Sequence, residues 1–126
     1  MVADMNNALF LEPVMRYATI IVSVLIIIAV LIPGSDLPDV HVGGYDKLIH
    51  MVMFAAWAVA IRYDFHPKRF RFFLVFVAGA AFSAVTELLQ LLVEGRSFDV
   101  YDMAADALGL IAGLLIGGPV VKWLHR

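Results

Sequence analysis

Polar residues with chemical potential come in four groups in this chain: Asp46-Lys47-x-x-His50, Glu87-x-x-Gln90, Gly95-Arg96-x-x-Asp99-x-x-Asp102, and Asp106. A histidine near carboxylates can act as a general base. His50 with Glu87, Asp102 and Asp106 offers the donors of a divalent-metal site with room for water. Lys47 and Arg96 could grip an anionic group, the arginine by paired hydrogen bonds. Asp46, Lys47, His50, Glu87, Gln90, Arg96, Asp99, Asp102 and Asp106 are therefore the candidate ligand-binding residues. His50, Glu87 and Asp106 are the candidates for catalysis. No HExxH is present, and the spacing matches no dedicated metal motif.

The elements that position these residues belong in lipid. Of 126 residues, 63% are apolar and 16% charged. Soluble domains average about 45–50% and about 25%, and one small domain cannot hide so much apolar surface from water. Without cysteine, disulfides and thiol chemistry are excluded. Four apolar runs predict four transmembrane helices, at about 15–32, 45–62, 70–93 and 100–123, forming a single all-α domain over residues 1–126. The first run is long for a cleaved leader and lacks a small-x-small site, so it is expected to be retained. The second is long enough only if its helix starts near Tyr45, which takes Asp46, Lys47 and His50 into its first turns.

Helical phase gathers the polar groups. Asp46 and His50 are i,i+4 neighbours. Gly79, Ser83, Glu87, Gln90 and Glu94 form one stripe, and Asp99, Asp102, Asp106, Gly109, Gly113 and Gly117 form another. With helix three ending near Val93, Glu87 would lie about 9 Å inside the boundary, at the depth of Asp106. Gly109-x-x-x-Gly113 allows close helix approach, within the chain or in an oligomer. These stripes are expected to face a shared polar pocket, and ionisable groups inside a membrane point to function.

Charge sets the orientation. One side holds seven basic residues against three acids, the other two against eight. Lys and Arg favour the cytoplasm, so both termini are expected there, in a multi-pass protein of the bacterial inner membrane with its acidic side outward. Asp36, Asp39 and His41 read as solvated loop residues, and His66 and His125 as interfacial ones. Tyr17, Trp57, Tyr63 and Trp123 read as an aromatic belt, and the Phe-rich start of helix three as lipid-facing.

The ordered motifs, from Pro33 to Gly117, resemble the VanZ-like family of bacterial membrane proteins. Members often carry Asn at the position of Asp106, so the pocket here is richer in negative charge. The resemblance implies an integral membrane protein, linked in its namesake to teicoplanin-type glycopeptide resistance. The expected function is to bind or modify a cell-envelope component, such as a cell-wall precursor or another outer-leaflet ligand. Membrane lipid is the surrounding partner, and no nucleic-acid partner is expected. The alternatives are a small proton- or cation-coupled transporter, with Glu87 or Asp106 titrating, and a non-catalytic assembly protein.

Overall fold

The computed structural model describes residues 17–32, 45–95 and 98–124, and all regular structure among them is helical. The helices are α1 (Ala18–Val30), α2 (Tyr45–Phe65), α3 (Phe72–Gln90) and α4 (Val100–Leu124), with a 3-10 turn over Arg69–Arg71 ahead of α3. The last three are long and apolar enough to cross a membrane. At 1.5 Å per residue, α1 spans about 20 Å, short of the roughly 30 Å of hydrocarbon. The expected first span was longer, and its Met15 and Arg16 lie outside the described residues.

Local sequence explains the boundaries. α1 is mostly β-branched (ATIIVSVLIIIAV), a composition that disfavours helix in water. In lipid the backbone must bond to itself, so the helix forms regardless. Its N-terminus is capped from another element: Asp64 Oδ2 accepts hydrogen bonds from Thr19 N and Thr19 Oγ1, both at 2.7 Å. His66, at a left-handed φ of 47°, and Pro67 close α2. α3 stops at Gln90, three residues before the expected end, because the chain tightens into three-residue bonds from Leu91 to Val93 and turns at Gly95, φ 77°. Glu94 consequently leaves the α3 stripe and is exposed. Asp99 caps α4, its Oδ1 accepting from Tyr101 N at 2.8 Å.

The most extensive interface joins α2 to α4, and α1 packs mainly on α2. Glycine makes the α2–α4 seam possible. A Cβ on Gly109 would overlap the Met51 carbonyl oxygen, and one on Gly113 would overlap the Ala55 carbonyl oxygen. The two backbones therefore touch, so the Gly109–Gly113 face considered for an oligomer is filled by α2 of the same chain. Beside the seam lies an apolar core of Ile26, Val30, Phe54, Trp57, Ala58, Leu110 and Leu114. Trp57 belongs to this core and not to an aromatic belt. It is 6% exposed, it stacks on Phe82 at 5.8 Å, and its Nε1 donates to Ser23 Oγ at 2.9 Å. Burial with a satisfied N–H is the other stable place for an indole. Phe70, Phe73 and Leu74 are exposed, as expected of a lipid-facing surface, but Phe72 and Phe76 of the same stretch are half-buried against the core.

Candidate functional site

Three helices deliver polar side chains to one end of the bundle. The first turns of α2 carry Asp46, Lys47 and His50, the last turns of α3 carry Ser83, Thr86, Glu87 and Gln90, and the start of α4 carries Asp99, Asp102 and Asp106. Glu87, Thr86 and Asp106 are fully buried, and His50, Ser83, Gln90 and Asp102 nearly so. Eight of the nine residues picked from sequence thus lie at this end of the bundle, and all of them but Gln90 fall on two connected shells. Arg96, the ninth, lies outside the described residues.

The inner shell is centred on His50. Its Nδ1 lies 2.9 Å from Asp106 Oδ1, and Ser83 Oγ donates to Asp106 Oδ2 at 2.6 Å. Glu87 Oε1 is 3.9 Å from Nδ1, and Asp102 Oδ2 is 3.6 Å from Nε2. Glu87 Oε2 accepts from Asp99 N at 3.2 Å, which ties α3 to the start of α4. With the ring proton on Nδ1 and held by Asp106, Nε2 presents its lone pair toward Asp102. That arrangement suits a general base or a metal ligand, since a carboxylate behind a ligating histidine fixes its tautomer.

The outer shell is centred on Lys47. Its Nζ lies 3.2 Å from Asp46 Oδ2, 3.1 Å from Asp99 Oδ2 and 3.2 Å from Asp102 Oδ1. Lys47 was expected to grip an anionic ligand, but it is already surrounded by three carboxylates. Asp99, at the membrane-facing end of the loop, would be raised by burial. The Tyr101 N–H and the Lys47 ammonium outweigh that, and its carboxyl is held below the usual range.

Charge is far from balanced here. Among the described residues five carboxylates, Asp46, Glu87, Asp99, Asp102 and Asp106, face one ammonium and one imidazole. Like charges about 4 Å apart repel by about 4 kcal/mol at an effective dielectric of about 20. Among the described residues, Lys47 and His50 are the groups that offset this repulsion, and a proton or a bound cation would offset it further. For a divalent ion, one donor atom each from His50, Glu87 and Asp102 lie within 4.8 Å of one another. Asp106, the fourth candidate ligand, is engaged by His50 and Ser83 and serves as the orienting carboxylate. Asp46, Asp99 and Asp102 form a second, more exposed group of donors.

A family model described as VanZ/LLP1 matches residues 7–119. The chain belongs to the VanZ/LLP1 family. No curated protein and no solved structure matches it. The match covers every candidate residue of the VanZ/LLP1 chain and all four helices up to Pro119. With three helices suited to crossing a bilayer, it is a membrane protein.

Sequence reasoning overlooked two supporting residues in this VanZ/LLP1 chain. Ser83 was on the α3 stripe, yet nothing marked it as the second donor to Asp106. Thr86, whose Oγ1 donates to Ser83 O at 2.7 Å, lies on the same buried face, one position off the stripe spacing. Its burial was the missing signal, and that depends on where α4 crosses.

Proposed function

We propose that this VanZ/LLP1 protein is a multi-pass protein of the bacterial inner membrane, with both termini in the cytoplasm. Its acidic cluster faces outward and binds a cell-envelope component. The observation that carries the reading is the gathering, among the described residues, of five carboxylates around Lys47 and His50 at one end of the bundle. With Lys47 saturated, the group received is cationic or a hydrogen-bond donor, such as an amine, amide or hydroxyl of a cell-wall precursor or another outer-leaflet ligand. His50, Glu87 and Asp102 would hold a divalent ion, which would supply positive charge to polarise such a ligand. Altered glycopeptide (teicoplanin-type) susceptibility is the cellular trait this binding would produce.

Binding from one side is favoured over transport by what lies beneath the cluster. There the α2–α4 seam is closed backbone to backbone at Gly109 and Gly113 and flanked by Phe54, Ala58 and Leu110. A transport path needs polar groups through the full depth.

The test compares Glu87→Gln and His50→Gln with wild type, scoring glycopeptide susceptibility on overexpression beside thermal stability of the purified proteins. Binding through charge predicts folded proteins without the trait. Full activity in both, or activity falling only in step with stability, would make the cluster scaffolding. Orientation is read separately: a cysteine replacing Glu94 should react with an impermeant thiol reagent in intact cells, and one replacing His66 should not.

A further inference from the structure

The opposite end of the bundle holds a second site, built from basic and aromatic residues. A cavity of about 990 Å³ opens there, lined by Arg62, Phe72, Leu114, Leu115, Lys122 and Trp123 among others. Arg62 does not simply wave at the surface. Its guanidinium lies 4.9 Å from the centre of the Phe72 ring, and its Nη1 donates to the Leu114 carbonyl at 2.6 Å. Gly117 and Gly118 make the bed for it. A Cβ on Gly117 would come within 2.7 Å of Arg62 Cδ, and one on Gly118 within 3.1 Å of Nη2. Pro119 follows, removing the N–H that would have bonded to the Leu115 carbonyl.

Arg62 has five N–H donors, and among the described residues only the Leu114 carbonyl accepts from it. Neither Arg62 nor Lys122 has a carboxylate partner among the described residues, in contrast to Lys47. Two cations without acids, one of them fixed in orientation, share a cavity whose remaining walls are aliphatic and aromatic. Trp123, 69% exposed, stands at its edge at the end of α4, where amphipathic rings meet lipid headgroups.

We propose that this cavity binds an anionic phospholipid, its phosphate diester held between Arg62 and Lys122 and its first acyl carbons against Leu114, Leu115 and Phe72. The shape of the cation set fits a phosphate: a guanidinium aims several donors at its oxygens, and an ammonium adds a mobile point charge. The apolar walls and the volume fit a lipid and exceed what one phosphate ion fills. The site stands at the other end of the spans from the acidic cluster and does not depend on how that cluster works.

The full-length protein, purified in a neutral detergent and stripped of lipid, is titrated with phosphatidylglycerol, phosphatidylcholine or inorganic phosphate while its unfolding temperature is followed. Only phosphatidylglycerol should stabilise it. Lys122 is exposed and makes no contact that the fold needs, so Lys122→Gln should fold normally and weaken the phosphatidylglycerol Kd by about fivefold, the effect of one cation at an anionic lipid surface. Arg62→Lys should weaken it further, by losing the planar donors. His50→Gln, at the other end, should leave it unchanged. Equal stabilisation by phosphatidylcholine would overturn the proposal, as would equal stabilisation by phosphate or an unaltered Kd in Lys122→Gln.

Discussion

His50 and Asp106 lock α2 to α4 through a buried 2.9 Å contact. Because Asp106 also accepts from Ser83, one carboxylate serves three helices. Asp106→Asn should be well tolerated: the amide oxygen can face His50, and its NH₂ can donate to Ser83 Oγ, which then turns to accept. Asp106→Ala should cost about 2–4 kcal/mol, since it leaves His50 and Ser83 buried without partners. Thermal unfolding of the two variants in detergent checks the difference, and equal losses would mean that charge, not hydrogen bonding, makes the lock.

The seam makes a sharper demand on size. Gly109→Ala gains up to about 1 kcal/mol of helix propensity, but its methyl group meets the Met51 carbonyl, which belongs to the backbone and cannot swing aside. Overpacking of about 1–3 kcal/mol should win, lowering the unfolding temperature. Gly118→Ala should be much milder, because its nearest neighbours are the far end of the Arg62 side chain.

Asp64 holds the start of α1 through Thr19. Asp64→Ala should cost about 1–2 kcal/mol, removing a cap and a favourable charge at a helix N-terminus. Thr19→Val keeps the backbone N–H bond and should cost less. Hydrogen exchange should quicken in the first turn of α1 and leave α4 unchanged. A uniform increase through the bundle would contradict a local role.

Acid should loosen the outer shell. The carboxyl of Asp99 is lower in the folded protein than in the unfolded chain. Its contribution to stability is therefore fully present above the unfolded value, near 4, and fades as pH falls through the folded one. Asp99→Asn should flatten the decline in unfolding temperature below about pH 4. An identical decline in both proteins would assign the acid sensitivity elsewhere.

Much of this was legible from residue types. Apolar runs located the helices because lipid leaves the backbone no alternative, and i,i+4 spacing placed His50, Glu87 and Asp106 on inward faces. What stayed hidden depends on partners brought by other helices. Lys47 read as a free cation because Asp99 and Asp102 are more than fifty positions away in sequence. Trp57 read as a belt residue because a tryptophan in an apolar run carries no mark of a Ser23 waiting across the bundle. Asp64 and Arg62 read as loop and boundary charges, since hydropathy averages over neighbours and cannot tell a solvated charge from one that caps α1 or lies on Gly117 and Gly118. The end of α3 was misplaced because Leu91, Leu92 and Val93 are as apolar as the helix they follow.

The glycine seam also has an electrical meaning. Apolar side chains and touching backbones occupy the depth between the His50 cluster and Arg62, and among the described residues no charged side chain lies between them along α2 or α4. A transmembrane voltage, worth about 2.3 kcal/mol per charge per 100 mV, would then fall mostly across that apolar layer and little across the cluster itself. Occupancy of the carboxylates should accordingly track the ion and proton concentrations of the one solution they adjoin. Collapsing the membrane potential at constant pH on the cluster's side should leave it unchanged.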